Sequence, residues 1–257
     1  MLLDISDVHV SFPASRGTDR EVKVLDGVSL HVGQGEFVAV LGPSGSGKTT
    51  LFRLAGGLLR PVRGSIRLNG ADITGKPGHI GYMPQQPALL PWRTVLENSL
   101  LAAEIAGSER QTAERQAREW LQRAGLAGYE HAYPDELSGG MQQRVSFVRA
   151  LLGPQLLLGL DEPFGALDAM TRLEMQLWLG DLWQESGRSV LLVTHSIEEA
   201  LLLADRIYVL SAKPTRVIAE MEVPWERPRR EELLADPAFA RLKLQLYQAM
   251  RNQAGGG

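Results

Sequence analysis

The chain has 257 residues, 44% of them hydrophobic, enough to bury the core of one large domain with a subdomain. Its 27 Lys and Arg against 30 Asp and Glu leave a net charge of −3, which excludes a general electrostatic attraction to nucleic acid or to an anionic membrane surface. The absence of cysteine excludes disulfides, thiolate metal sites and cysteine nucleophiles, and suits a reducing compartment.

At the start, MLLDISDVHV carries Asp4 and Asp7 too early for a secretory signal. The runs LDISDVHVSF and EVKVLDGVSLHV alternate polar with apolar residues on either side of the loop PASRGTD, and predict an antiparallel sheet at the edge of the core. From EFVAVLG onward, short apolar runs alternate with helical stretches: TTLFRLAGGLL, SIRLNG and HIGYMP, and later LLLGLD, SVLLVTH, RIYVLS and RVIAEMEV. That rhythm predicts an α/β domain with a largely parallel central sheet. Between about 94 and 135 the strands stop and the period is helical, so a helical subdomain of about 88–150 is expected inside a domain spanning 2–224. The charged tail 225–257, WERPRREELLADPAFARLKLQLYQAMRNQAGGG, reads as one helix ending in glycines expected to be disordered. The longest apolar stretch, VSFVRALLGPQLLLGL, is interrupted by Arg149, Pro154 and Gln155, short of the roughly 18 uninterrupted residues of a spanning helix. Any link to a membrane must therefore run through a partner.

Two glycine-rich segments carry the chemistry. Within GPSGSGKTT, Gly42, Gly47, Lys48 and Thr49 fit G-x-x-x-x-G-K-[ST], and the segment lies between an apolar run and a helical one, as a phosphate-binding loop requires. Gly42, Gly45 and Gly47 let successive N–H groups curl around a phosphate, with Pro43, Ser44, Ser46 and Thr50 completing the cradle. Lys48 supplies a charge to the outer phosphates and the Thr49 hydroxyl is a candidate Mg²⁺ ligand. These residues predict a nucleoside triphosphate with Mg²⁺ bound to a P-loop NTPase core. The strand LLLGLDEP ends in Asp161, on the metal side through water, and Glu162, placed to orient or deprotonate the attacking water. In isolation such a pair is more often a solvated turn. Gly159 inside this strand either weakens it or marks a close approach of other chain. The second segment, LSGGMQQR, places Ser138 to cap a helix starting near Gly139, so that Ser138, Gly139 and Gly140 form another anion-binding end.

Together these segments resemble the ATP-binding cassette ATPases. GPSGSGKTT looks like their Walker A motif, LLLGLDEP like Walker B, LSGGMQQR like the signature, GALD at 165–168 like the D-loop, and VTHSIEEA like the switch-histidine region, in the family's order. The resemblance implies that His195 contacts the γ-phosphate, that Gln85 in YMPQQPALLPW is the Q-loop glutamine near Mg²⁺ and the attacking water, and that Phe12 stacks on adenine. It also implies that Asp168 is a dimer contact and that the Ser138 segment faces the γ-phosphate held by the other subunit's Lys48. The first three have plainer readings: a capping or half-exposed histidine, an ordinary loop glutamine, a core phenylalanine. Met141 departs from the family, where glutamine commonly follows LSGG and can hydrogen-bond nucleotide.

PALLPWRTVLENSLL and LDEPFGALDAMTR are similar to importer ATPases for nitrate, sulfonates, taurine and pyrimidine precursors. That resemblance implies a homodimer with ATP between its halves, at the cytoplasmic face of the inner membrane. Its partners would be permease subunits whose coupling helices dock near Gln85–Trp92, and indirectly an extracytoplasmic solute-binding protein. Ala88 to Trp92 would line the docking groove, with packing inside the subdomain the alternative for Leu89 and Leu90. A non-transport cassette ATPase or a slow regulatory ATP-binding module is the competing reading, although no basic stripe marks a nucleic-acid partner.

Overall fold

The computed structural model describes residues 1–13 and 21–251. Most of the expected loop PASRGTD and the terminal glycines lie outside the described residues.

Two sheets form the frame. The first is antiparallel, with strands in the order β2-β1-β4-β5: β1 is Leu3–Pro13, β2 Glu21–Val32, β4 Arg63–Leu68 and β5 Ala71–Asp72. Along β1 the buried apolar residues are Leu3 and Ile5, then Val8 and Val10, so the alternation skips one position. A bulge absorbs the extra residue: the register shifts between Ile5 and Val8, and Asp7 takes φ 49. Gly64 on β4 faces the bulge, where a Cβ would stand 2.4 Å from the Asp7 carbonyl oxygen. SIRLNG, expected among the strands of the α/β rhythm, forms β4 here. Its apolar side chains match those of β1, and Ile66 pairs with Ile5.

The second sheet has the order β10-β9-β3-β8-β7-β6, with β3 Phe37–Leu41, β6 Gly81–Met83, β7 Leu157–Asp161, β8 Ser189–Thr194, β9 Arg206–Leu210 and β10 Val217–Glu222. All neighbours are parallel except β10, which runs antiparallel to β9 at the edge. Every residue of β3, β7 and β8 is buried, as expected of central strands covered on both faces. One face packs on α1 (Lys48–Ala55) and the antiparallel sheet; the other packs on α5 (Ala169–Ser186), α6 (Ile197–Leu203) and α7 (Pro237–Arg251).

The ambiguity at Gly159 resolves as close approach. A Cβ there would lie 2.6 Å from Cζ of Phe52, so the bare backbone of β7 lets the ring of α1 sit directly on the sheet.

A third apolar cluster joins α2 (Val95–Ile105), α3 (Arg110–Arg123) and α4 (Gly139–Leu151). Thr94 and Glu97 form a capping box that starts α2. Helix α4 serves two clusters: Val145 and Val148 face α2 and α3, while Phe147 and Ala150 face the parallel sheet. The tail is not the single helix expected. Glu231–Ala235 is a 3₁₀ turn, and α7 restarts at Pro237, a residue whose missing N–H suits a helix's first position.

Candidate functional site

Three adjacent strands, in the order β3, β8, β7, end at the same edge of the sheet. Their carboxyl ends deliver the glycine loop, His195 and the pair Asp161–Glu162, so residues far apart in sequence meet where open α/β sheets bind ligands.

The glycine loop turns from β3 into α1 with Gly47 as N-cap at φ 92 and Gly45 at φ 78, both left-handed. Gly47 also has no room for a side chain, since a Cβ would lie 2.9 Å from Val24 Cγ1. Thr215, between β9 and β10, braces the loop from behind by donating its hydroxyl to the Ser46 carbonyl. Lys48 is 5% exposed and folds back under the loop, with Nζ donating to the carbonyls of Gly42 at 2.9 Å and Pro43 at 3.0 Å. Burial lowers its pKa, while the carboxylates of Glu162 and Asp161 oppose that shift.

Glu162 holds the centre of the site. Its backbone is left-handed at φ 45, a conformation that costs a non-glycine residue roughly 1–2 kcal/mol. It is fixed by its N–H donating to the Val193 carbonyl at 2.8 Å and by its own carbonyl accepting from Gly165 at 3.2 Å. The resulting side chain reaches both neighbours: Oε1 lies 3.6 Å from Lys48 Nζ and Oε2 lies 3.1 Å from His195 Nδ1. Beside it Asp161 is buried, and that burial, reinforced by the Glu162 charge, raises its pKa against the pull of Lys48 and Arg53. A cavity of about 290 Å³ is lined by Ser44, Gly45, Gly47, Lys48, Thr49, Thr50, Glu162 and Lys213. This arrangement brings a polar cradle, a buried cation and a carboxylate around one space open to water, an arrangement able to hold a triphosphate.

The ABC transporter family profile matches residues 25–165. The chain belongs to that family. It is similar to the formylaminopyrimidine import ATP-binding protein ThiZ of Halalkalibacterium halodurans, at 46% identity over 90% of this chain and 88% of the relative. The nitrate import ATP-binding protein NrtD of Synechococcus elongatus is 42% identical over 92% and 86% of the two chains. The taurine import ATP-binding protein TauB of Burkholderia pseudomallei is 39% identical over 96% and 95%. Among solved structures, the ATP-binding cassette MJ0796, a dimer in a post-hydrolysis state bound to ADP and Pi, superposes with a TM-score of 0.73 at 29% identity, covering 88% of this chain and all of that one. As an ABC ATPase, the chain binds and hydrolyses ATP.

Within the cassette, the remaining candidates fall into three groups. Gln85 joins the Glu162 side of the site, because both side chains lie over Gly165: a Cβ there would stand 3.2 Å from Gln85 Nε2 and 4.0 Å from Glu162 Oε2. Ser138, Gly139, Gly140 and Asp168 do not line the cavity of their own chain. Ser138 caps α4, its Oγ accepting from Met141 N at 3.3 Å, and Asp168 caps α5 by accepting from Met170 and Thr171 through Oδ1. Phe12, near the end of β1, is 39% exposed rather than core, and it too lies outside the cavity lining.

A groove of about 430 Å³ between β6, α2 and α4 includes Tyr82, Pro84, Ala88, Leu101 and Ile105. Of Ala88 to Trp92, Ala88 alone is in its lining; Leu89 packs against the helical cluster, and Trp92 stands 71% exposed beyond it. Asn98, buried in α2, accepts from the Leu90 N–H at 2.7 Å and donates to the Leu90 carbonyl at 3.1 Å, which holds this segment against the helices.

Three contributors escaped the sequence reading. Lys213 reaches the nucleotide cavity from the β9–β10 loop. Gln143 of α4 donates to the Gln85 carbonyl at 3.0 Å. Glu199 lies wholly buried behind the His195 turn, accepting the Thr194 hydroxyl at 2.7 Å, while Thr194 Oγ1 accepts from Ser196 N at 3.0 Å. Gln143 and Glu199 lie inside the motifs LSGGMQQR and VTHSIEEA, but the contacts that place them are tertiary, and the loop that carries Lys213 has no motif to mark it.

Proposed function

We propose that this cassette is the ATP-hydrolysing subunit of an importer for a small anionic or polar solute, in the group that handles nitrate, sulfonates, taurine or a pyrimidine precursor. The importer part of the reading is supported by the import ATP-binding relatives, and the hydrolytic part by the convergence on Glu162 of Lys48 at 3.6 Å and His195 at 3.1 Å above an intact glycine loop. A binding-only module needs no such base. In this reading Gly42 to Thr50 cradle the phosphates, Lys48 turns from the loop carbonyls to the outer phosphates, and Lys213 adds a second cation at the cavity edge. Glu162 takes a proton from the attacking water, and His195 holds the γ-phosphate and that water in line.

The donor set suits Mg²⁺. Among the described residues no cluster of three or more His, Cys, Asp or Glu could hold a metal alone. The site offers hydroxyls, with Thr49 the candidate ligand, and a buried carboxylate, Asp161, with Gln85 at its margin, which suits an ion that keeps waters and takes phosphate oxygens. When bound, Mg²⁺ would neutralise charge on the phosphates.

Two copies would close face to face, so that Ser138, Gly139 and Gly140 of each complete the partner's cradle, with Asp168 at the contact and Phe12 against adenine. No helix among the described residues is long and apolar enough to cross a membrane. Attachment at the inner membrane would come through permease subunits docking in the groove at Tyr82, Ala88 and Ile105, with a solute-binding protein acting from the far side. The functional unit spans 2–224, its helical subdomain being about 88–150, with 225–257 as a tail. Motion is carried from the nucleotide to the groove by Gln85, whose backbone Gln143 holds, and by the next residues, where Arg149 donates to the carbonyls of Pro87 at 2.7 Å and Ala88 at 2.9 Å. The test is Glu162→Gln: turnover falls by at least about 10²-fold while ATP binding persists. Wild-type turnover in that variant would remove Glu162 from the role.

A further inference from the structure

The segment after Pro224 takes no part in the chemistry above, yet its arginines are among the most heavily engaged in the molecule. Arg229 is 8% exposed, and its Nη1 donates to the carbonyls of Leu201 at 3.1 Å, Leu202 at 3.3 Å and Ala204 at 2.6 Å. Arg227 donates through Nη2 to the intervening carbonyl of Leu203 and through Nε to Asp205 Oδ1 at 3.0 Å. Its guanidinium also lies over the Trp183 ring, 4.3 Å from the centroid. Two side chains of the tail thus satisfy four consecutive carbonyls, Leu201 to Ala204, at the carboxyl end of α6. Those are the groups a helix leaves unpaired at that end, where cations are also favoured by its dipole.

The other end of α6 is held as well. Lys243, on α7, pairs with Glu198 in the first turn of α6. Phe239 and Leu246 of α7 are buried in the same cluster as Leu201 and Leu202. Helix α6 begins at Ile197, and its N-cap, Ser196, follows directly on His195.

We propose that residues 225–251 are a positioning element for His195: Arg227, Arg229 and Lys243 fix both ends of α6, and so fix the turn from which the imidazole meets Glu162. The proposal rests on the role assigned to His195 above. It makes the tail an integral part of the hydrolytic site and assigns Arg229 as a positioning residue, since it touches no reacting atom.

The test is steady-state Mg-ATP hydrolysis by the full chain, as a double-mutant cycle of Arg229→Gln with His195→Ala. Arg229→Gln is expected to lower kcat by about fivefold or more with KM for ATP within about twofold, and Arg229→Lys to recover part of the loss. Added to His195→Ala, Arg229→Gln should change kcat by less than about twofold, because both act through one imidazole. A full additional loss in the His195→Ala background, or wild-type kcat in Arg229→Gln beside a collapsed His195→Ala, overturns the proposal. Wild-type kcat in His195→Ala sinks the His195 reading itself and this proposal with it. If Arg229→Gln does not fold, Lys243→Ala at the exposed end of the clamp runs the same cycle: a smaller, non-additive loss supports the proposal, and an additive loss or none overturns it.

Discussion

Glu199 shows how much one side chain behind the site can set. It is fully enclosed, and that burial pushes its pKa up to about 7, against the opposing hydrogen bond from Thr194 and with a further upward push from the Glu162 charge. A carboxyl whose folded pKa is raised binds its proton more tightly in the native state, so the contribution of Glu199 to stability falls as pH rises from about 4.5 to about 7 and is constant above. The loss across that window is about 3 kcal/mol at about 1.4 kcal/mol per pKa step. Glu199→Gln keeps an acceptor for the Thr194 hydroxyl without a titrating proton. Denaturant titrations should therefore find the variant gaining on the wild type between pH 4.5 and 7, by up to about that amount, with no further gain at pH 8. A difference that does not change with pH would mean that the native carboxyl titrates as it does in the unfolded chain.

The elements that were legible in the sequence are those whose determinants are local. The strand, glycine loop and helix from Phe37 to Ala55 announce themselves through an apolar run, left-handed glycines and a helical period within 19 residues. The DE pair is fixed by the strand that precedes it, and Ser138 by the helix that follows it. What was not legible depends on partners distant in the chain: β4 belongs with β1 because of a register that only pairing defines, and Lys213 reaches the cavity because Thr215 is tied to Ser46 across 169 positions. The tail's break is local, at Asp236–Pro237, but its helical period masks it. Gly159 also belongs to this scale, because it governs how α1 sits on β7. Gly159→Ala puts a methyl 2.6 Å from a ring that is itself fully buried, and overpacking of that kind costs about 1–3 kcal/mol. Urea unfolding should show a lower midpoint with an unchanged slope; an unchanged midpoint would mean that Phe52 can retreat without cost.

At the scale of the whole molecule, each chain presents its glycine loop and its Ser138 segment at separate places, and neither Ser138 nor Gly139 is covered. Ser138→Arg should leave ATP binding by the single chain within about twofold, apart from about 1 kcal/mol of helix stability lost with the cap. Placed in the slow Glu162→Gln background, it should abolish the ATP-dependent shift from monomer to dimer in light scattering. If the double variant dimerises on ATP as readily as Glu162→Gln alone, the trans role of the segment is wrong. The segment that leads to the groove has a different logic. From Gln85 to Leu90 the chain is gripped by Gln143, Arg149 and Asn98, and all three take hold of main-chain atoms. A tether to peptide groups is indifferent to the side chains it passes. Side chains along this stretch can therefore be exchanged without breaking the three links that tie its main chain to α2 and α4.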